Sequence, residues 1–266
     1  MSEADQIART KSPVTVDSLT VDLSKIGIGR GDILMVHTSL ASLGWVCGGP
    51  VTVIQALIEA VGPAGTIVMP AHSAQITNPE NWGMPPVPKE WIAPIKASMP
   101  PFDARTTPTR NMGAVAELFR TWPGAARSHH PSASFAALGS LAGEITREHA
   151  LEDPLGERSP LGALYRLDAR ILLVGVDFNR CTALHLAEQR RWPDRSRIKE
   201  GAPLIVNGIR RWVDFEIAEV MDDDEFLTVG ASATDAGFVT QAPLGEARAQ
   251  FTRMRDIVDH AVSMWG

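Results

Sequence analysis

Cysteine is nearly absent from this sequence. Cys47 and Cys181 are the only two among 266 residues, too few for a disulfide framework and not spaced as a zinc site. Both are expected to be reduced thiols, and no metal is expected. No apolar run approaches the ~20 residues that a membrane-spanning helix needs. The opening stretch M-S-E-A-D-Q-I-A-R-T-K-S holds no apolar core of a signal peptide, so a cytoplasmic protein with no membrane partner is expected. Basic clusters are missing too. With 25 Lys and Arg against 31 Asp and Glu the formal charge is −6, and no stretch is dense enough in cations to follow a phosphate backbone. Nucleic acid is therefore not an expected partner, while a cationic small molecule suits the sign. Internal repeats and a domain-dividing linker are also lacking, which leaves one domain over residues 1–266 as the expected organisation.

What is present is a repeated strand–loop–helix pattern, the signature of parallel α/β layering. Residues 16–26 carry the spacing of a short amphipathic helix capped by Thr15 or Asp17, residues 32–37 read as a buried strand, and residues 50–60 as a helix led by Pro50. A second short strand is expected at 66–69. Between the first strand and its helix runs H-T-S-L-A-S-L-G-W-V-C-G-G-P, residues 37–50. Serine, threonine and glycine there supply donors that can wrap a phosphate or a polar amide chain, although many such stretches are only turns.

From 71 to 109 periodicity disappears and prolines crowd together. Trp82, Trp91, Ile92, Met99 and Phe102 favour an ordered excursion, a lid or a pocket wall, because such side chains rarely stay in water. A helix capped by Asn111 is then expected to run to Arg120. A short strand follows at 135–138, and a helical turn or two at 141–149. Residues 198–206 and 209–215 read as a hairpin turning at Asn207-Gly208. An acidic run follows, and residues 244–264 are expected to form a closing amphipathic helix.

The most informative stretch is 171–192, I-L-L-V-G-V-D-F-N-R-C-T-A-L-H-L-A-E-Q-R-R-W. An apolar, β-branched strand passes directly into a helix, and in open α/β sheets ligands collect at the carboxyl ends of strands. His185 and Glu188 stand three apart, so a helix stacks them on one face with Thr182 one turn earlier. A carboxylate that reaches an imidazole selects its tautomer and stabilises the imidazolium, the layout of a general base with its orienting acid. The same spacing also describes an ordinary helix-surface pair.

Four segments together resemble the antibiotic N-acetyltransferase family, whose best-known members are aminoglycoside 3-N-acetyltransferases. They are V-H-T-S-L-A-S-L-G-W-V at 36–46, T-P-T-R-N-M-G-A-V at 107–115, H-P-S-A-S-F-A-A-L-G at 130–139 and T-A-L-H-L-A-E at 182–188. The resemblance implies a single-domain α/β/α sandwich with a central mostly parallel sheet. It also implies transfer of acetyl from acetyl-coenzyme A to the 3-amino group of an aminoglycoside antibiotic. On this basis His185 takes the place of the catalytic histidine, Glu188 its neighbouring carboxylate, and His37 a histidine at the active-site mouth. Coenzyme A contacts are implied for Thr38, Ser39, Leu40, Ser42, Leu43, Gly44, Trp45 and Val46, and for Thr107, Met112, Ser134, Phe135 and Thr182. The chain has Asp177, Cys181 and Ala183 where the family often carries Gly, Asn, and Ser or Thr. A turn of its own shape is expected before the catalytic helix.

A polycationic sugar needs acidic contacts, for which Asp177, Asp214, Glu216, Glu219, Asp222, Asp223, Asp224 and Glu225 are available. Other chemistries are an acetyltransferase of the same fold acting on another amine, a cysteine acyltransferase using Cys47 or Cys181, and a non-catalytic coenzyme A-binding protein.

Overall fold

The computed structural model describes residues 3–221 and 223–266. In chain order the elements are α1 (Glu3–Arg9), α2 (Val16–Ile26), β1 (Ile33–Thr38), α3 (Pro50–Val61), β2 (Thr66–Pro70), α4 (Lys89–Ser98), α5 (Gly113–Phe119), β3 (Ala126–Arg127), β4 (Phe135–Gly139), α6 (Ala142–Arg147), α7 (Pro160–Arg166), β5 (Arg170–Val174), α8 (Leu184–Arg191), β6 (Arg197–Val206), β7 (Ile209–Ala218), α9 (Glu225–Asp235), β8 (Thr240–Leu244), β9 (Ala247–Arg253) and α10 (Met254–Met264). Helix α2 starts where a cap was expected: Thr15 and Ser18 each accept from the other's backbone N–H.

A 7-stranded sheet in the order β3-β4-β2-β1-β5-β9-β8 forms the middle layer. Its centre, β2-β1-β5, is parallel. Strands β4 and β9 run against it on either side, and β3 and β8 run with it again. Strand direction is thus mostly parallel, as expected. Each central strand alternates its side chains between two helical layers. Leu34, Val36, Ile67, Met69, Leu172 and Val174 pack on one side with Leu19, Leu23, Ile54, Leu57, Val115 and Phe119 of α2, α3 and α5. Met35, Val68, Ile171 and Leu173 face Ile145, Leu161, Leu186, Val229 and Ile257 of α6 to α10 on the other. Both faces are covered, the condition under which parallel strands read as unbroken apolar runs.

Two expectations need correction. The helix expected over 244–264 is a strand followed by a helix: Ala247, Ala249 and Phe251 belong to the core while Arg248, Gln250 and Thr252 alternate with them. That period of two was masked by small and polar residues, and pairing of β9 with β5, Phe251 opposite Leu172, decided it. Asn111 does not cap α5. It adopts φ 61 one residue before the cap position, Met112.

The proline-rich excursion is ordered, and it contains a helix, α4, despite Pro94 within it. Its apolar residues Ile76, Met99 and Phe102 pack on Ala202 and Phe215 of the β6–β7 hairpin. Buried Glu200 accepts from the Asn78 N–H (2.9 Å) and the Asn81 side chain (2.8 Å). Arg210 donates to the Lys96 carbonyl in the last turn of α4 and to the carbonyl of Met99, the residue that follows it. Buried Arg127 holds both ends together, donating to the carbonyls of Ala71 (2.6 Å) and Thr107 (2.5 Å) and to Ser134 Oγ (2.9 Å). The hairpin turns at Asn207-Gly208 with φ 52 and 77, the left-handed pair of a type I′ turn. Among the described residues no helix is long and apolar enough to cross a membrane.

Because the excursion rests on a small separate cluster, Phe102→Ala should loosen it locally. Loss of this buried ring should cost about 3 kcal/mol, and hydrogen exchange should quicken across 76–107 while β1, β2 and β5 keep their protection. Equal loss of protection in the central strands would show that the excursion and the main core unfold as one unit.

Candidate active site

Where β1, β2 and β5 end, the chain opens into a cleft of about 480 Å³. One wall is the end of β1 and the residues after it, His37, Thr38 and Ser39. A second comes from Met69, Pro70 and His72, a third from Met112 and Gly113, and the fourth from Cys181, Thr182, His185, Asp223 and Phe226. This is the crevice that parallel strands leave at their carboxyl ends. Gly175, with φ 61, ends β5 against the loop of β1, and any Cβ there would lie 1.7 Å from Ser42 Oγ. The close approach seats the first wall beside the start of α8.

His185 stands in the first turn of α8 with 9% of its surface exposed. Its Nδ1 lies 2.5 Å from Glu188 Oε2, and Phe226 meets its ring edge-on at 5.0 Å. An ionised carboxylate only accepts, so Nδ1 carries the hydrogen and Nε2 keeps its lone pair. That Nε2 faces the cleft, 3.6 Å from Asp223 Oδ1. Glu188 itself has no exposed surface. Its other oxygen accepts from the Arg195 guanidinium and from the Met221 N–H at 2.7 Å. Burial pushes the Glu188 carboxyl up, but the hydrogen bond of His185, with its charge once that ring is protonated, and the bonds from Arg195 and the Met221 N–H outweigh it and hold the group below its ordinary value.

Across the cleft the ring Nε2 atoms of His37 and His72 and the hydroxyl of Thr38 are buried without a hydrogen-bond partner. Burial lowers His37 to about 3. Burial, with the neighbouring His185, His37, His130 and Arg127, lowers His72 likewise to about 3. Both imidazoles are neutral at ordinary pH. Cys181 is buried in the turn before α8, and burial raises its thiol to about 12 against bonds from the Ala183 and Leu184 N–H groups. Cys47 is exposed and is not among the residues of the cleft wall.

Of the residues singled out from the sequence, His37, Thr38, Ser39, Met112, Thr182, His185 and Asp223 meet around this cleft, with Glu188 directly beneath His185. The others lie elsewhere. Leu43 and Val46 are core side chains beneath the loop. Leu40, Ser42 and Gly44 belong to its turn, where Ser42 Oγ donates to the Ser39 carbonyl, and Trp45 Nε1 donates to Glu3. Phe135 in β4 and Ser134 just before it are fully buried, and Thr107 is buried where Arg127 grips its carbonyl. Asp177 accepts from the Phe178 N–H and the Gln250 amide, and Asp214 from the Trp212 indole. Glu216 is exposed on β7, and Glu219 accepts from Ser196. Asp222 lies outside the described residues. His72 was missed, although its place two residues past β2 was a signal under the strand-end rule. Arg195 carried no local signal.

The sequence and the architecture have counterparts. The sequence profile of the aminoglycoside 3-N-acetyltransferase family matches residues 35–265. The SPbeta prophage-derived aminoglycoside N(3')-acetyltransferase-like protein YokD of Bacillus subtilis (strain 168) is 43% identical over 256 residues, 96% of this chain and 93% of its own. The crystal structure of YokD matches with a TM-score of 0.95 and 41% identity, covering 98% of this chain and 97% of that one. Aminoglycoside N(3)-acetyltransferase VII of Streptomyces paromomycinus is 33% identical over 279 residues, 99% of this chain and 95% of its own. A binary structure of AAC-IIIb with CoASH matches with a TM-score of 0.83 and 29% identity, covering 96% and 97%. The chain belongs to the aminoglycoside 3-N-acetyltransferase family, as the four motifs implied.

The neutral histidines make stability acid-sensitive. Their folded pKa values, about 3 for His37 and His72 and about 4 for His130, lie below the unfolded value of 6.5. Below pH 6.5 the unfolded chain therefore binds more protons, and stability falls as pH drops toward the folded values. Above it these groups contribute nothing to the slope. Each histidine adds about 1.4 kcal/mol per pH unit at full difference. Urea midpoints measured from pH 7.5 down to 5 should decline from about pH 6.5, and more shallowly in His72→Asn. Identical slopes in the two proteins would mean that His72 titrates normally.

Proposed function

We propose that this protein transfers the acetyl group of acetyl-coenzyme A to the 3-amino group of an aminoglycoside, with His185 as the general base. The observation that carries the catalytic assignment is the His185 Nδ1–Glu188 contact of 2.5 Å at the floor of the cleft, which leaves Nε2 free to take a proton. Bound acetyl-coenzyme A supplies an activated thioester. Only a neutral amine attacks it, so the protein must accept a proton at or before attack. His185 Nε2 takes that proton as the N–C bond forms and returns it to the departing thiolate sulfur as the C–S bond breaks. Glu188 stabilises the imidazolium in between. The unpartnered groups opposite, His37 Nε2, His72 Nε2 and Thr38 Oγ1, are the donors for the charge that develops on the carbonyl oxygen. Neutral imidazoles serve there without repelling the imidazolium.

The cleft fits the co-substrate on the same evidence: buried polar atoms with no partner inside the protein, beside a Ser- and Gly-containing turn at a strand end. Asp223 is the acid that meets the cleft wall, and we assign it a substrate ammonium. One catalytic domain spans residues 1–266, since all the central strands contribute to both helical layers. A cytoplasmic location suits an enzyme that consumes acetyl-coenzyme A. The family alternative, another amine as acceptor on the same cleft, requires no change to the dyad.

His185→Ala should lower turnover by roughly two orders of magnitude or more and leave coenzyme A binding intact, and Glu188→Gln should cost less. Cys47→Ser and Cys181→Ser should keep most of their activity, because transfer is direct. Release of free thiol from acetyl-coenzyme A over an aminoglycoside panel measures all four. An active His185→Ala enzyme, or an acetylated cysteine found by mass spectrometry, would overturn the mechanism.

Asp223→Asn should raise KM for the aminoglycoside roughly tenfold to a hundredfold, in line with ~1.5–3 kcal/mol for a charged hydrogen bond. KM for acetyl-coenzyme A should not change. The wild-type aminoglycoside KM should also rise with salt more steeply than that of the variant. Equal KM values and salt slopes would place the ammonium contact on another acid.

A further inference from the structure

Glu188 is bound by more than its histidine, and two of its partners, Arg195 and the Met221 N–H, lie outside all four motifs shared with the family. A fully buried carboxylate that lacks a cation takes a proton instead. Of the groups bonded to Glu188, His185 must be neutral to act as a base, and the Met221 N–H is an uncharged dipole. The remaining partner is the Arg195 guanidinium, in the loop between α8 and β6.

We propose that Arg195 is a positioning residue for acetyl transfer: bonded to Glu188 Oε1, it keeps that carboxylate ionised and aimed at His185 Nδ1, and so decides which nitrogen of His185 is the base. The inference rests on the assignment of His185 as general base made above. The reason is one of hydrogen-bond polarity. An ionised Glu188 accepts from Nδ1–H and leaves a lone pair on Nε2 facing the amine. A protonated Glu188 donates to Nδ1, which moves the ring hydrogen to Nε2, where it points at the amine and cannot take its proton.

Arg195 is built into its place. Its side chain is 17% exposed, its guanidinium lies 5.9 Å from the Trp192 ring centroid, and Trp192 stacks at 5.2 Å on Trp265. The same Glu188 oxygen takes the Met221 N–H, which ties down the segment that brings Asp223 to 3.6 Å from His185 Nε2. The charged or titratable groups around the dyad are therefore Arg195, Asp223 from the segment before α9, His37 and His72 from the facing walls, and Arg180 and Cys181 from the turn before α8. Without Arg195 the buried carboxylate of Glu188 loses its cation and the dyad binds a proton more readily.

The test is the pH profile of kcat, followed by thiol release. In Arg195→Gln, kcat should fall roughly tenfold or more, the acid limb should move up by about one pH unit, and KM for acetyl-coenzyme A should hold. In Arg195→Lys, which keeps the charge, the limb should return to its wild-type position. If Arg195→Gln folds poorly, Glu188→Gln/Arg195→Gln supplies the second arm. It removes the buried charge together with its partner, and its kcat should match Glu188→Gln alone within about twofold, since an amide needs no counter-charge. A limb that stays put in Arg195→Gln, or an Arg195 loss equally large in the Glu188→Gln background, would overturn the proposal. His185→Ala run in parallel separates the two assignments. If it is inactive while Arg195→Gln keeps the wild-type limb, only the positioning role fails. If it retains turnover, the general-base reading fails.

Discussion

A carboxylate removed from water must be compensated on all sides, and Glu188 imposes that requirement on three parts of the chain at once. It draws in a histidine from its own helix, an arginine from the following loop and a main-chain N–H from the segment after the hairpin. Each of these contacts places something else. His185 is turned so that Nε2 meets the cleft, Trp192 is trapped between Arg195 and Trp265, and Asp223 is carried to the rim. Removing any partner leaves a buried charge short of compensation, which is costlier than losing an exposed ion pair.

The opposite wall follows another rule. His37 sits in the last residues of β1 and His72 two residues past the adjacent parallel strand β2, where side chains face an opening rather than a helix. Burial keeps both rings neutral, and their Nε2 atoms have no partner inside the protein. Buried polar atoms are almost always satisfied, so a group of three around one cleft marks a surface shaped for something other than the protein itself. The charged dyad and the neutral donors are thus segregated on facing walls, the arrangement needed when one side receives a proton while the other faces growing negative charge.

The local parts of this arrangement were legible in the sequence. Helix α2 with its Thr15 cap, the type I′ turn at Asn207-Gly208 and the buried strands of the parallel centre depend on neighbours within a few residues, and their periodicity or turn chemistry announced them. The His185–Glu188 pair was equally plain, since a helix makes contacts at a spacing of three unavoidable. Strand β9 was not, because alternation among Ala, Gln and Thr is weak until β5 supplies a partner. Helix α4 was hidden as well: with no buried residue of its own, it leaves no apolar stripe to read, and Arg210 and the hairpin decide its position.

The sequence by itself therefore determined the α/β class, the contact between His185 and Glu188 and, through four motifs in order, the family. Only the tertiary structure decided what surrounds that pair. It sent the acids of the hairpin away from the cleft and kept Asp223, buried Phe135 in the sheet with Ser134 just before it, brought His72 to face His185, and joined Glu188 to Arg195, which lies beyond the end of α8. Sequence pattern reports contacts along one element, where geometry repeats, whereas burial and charge compensation are set by whatever element the fold lays alongside.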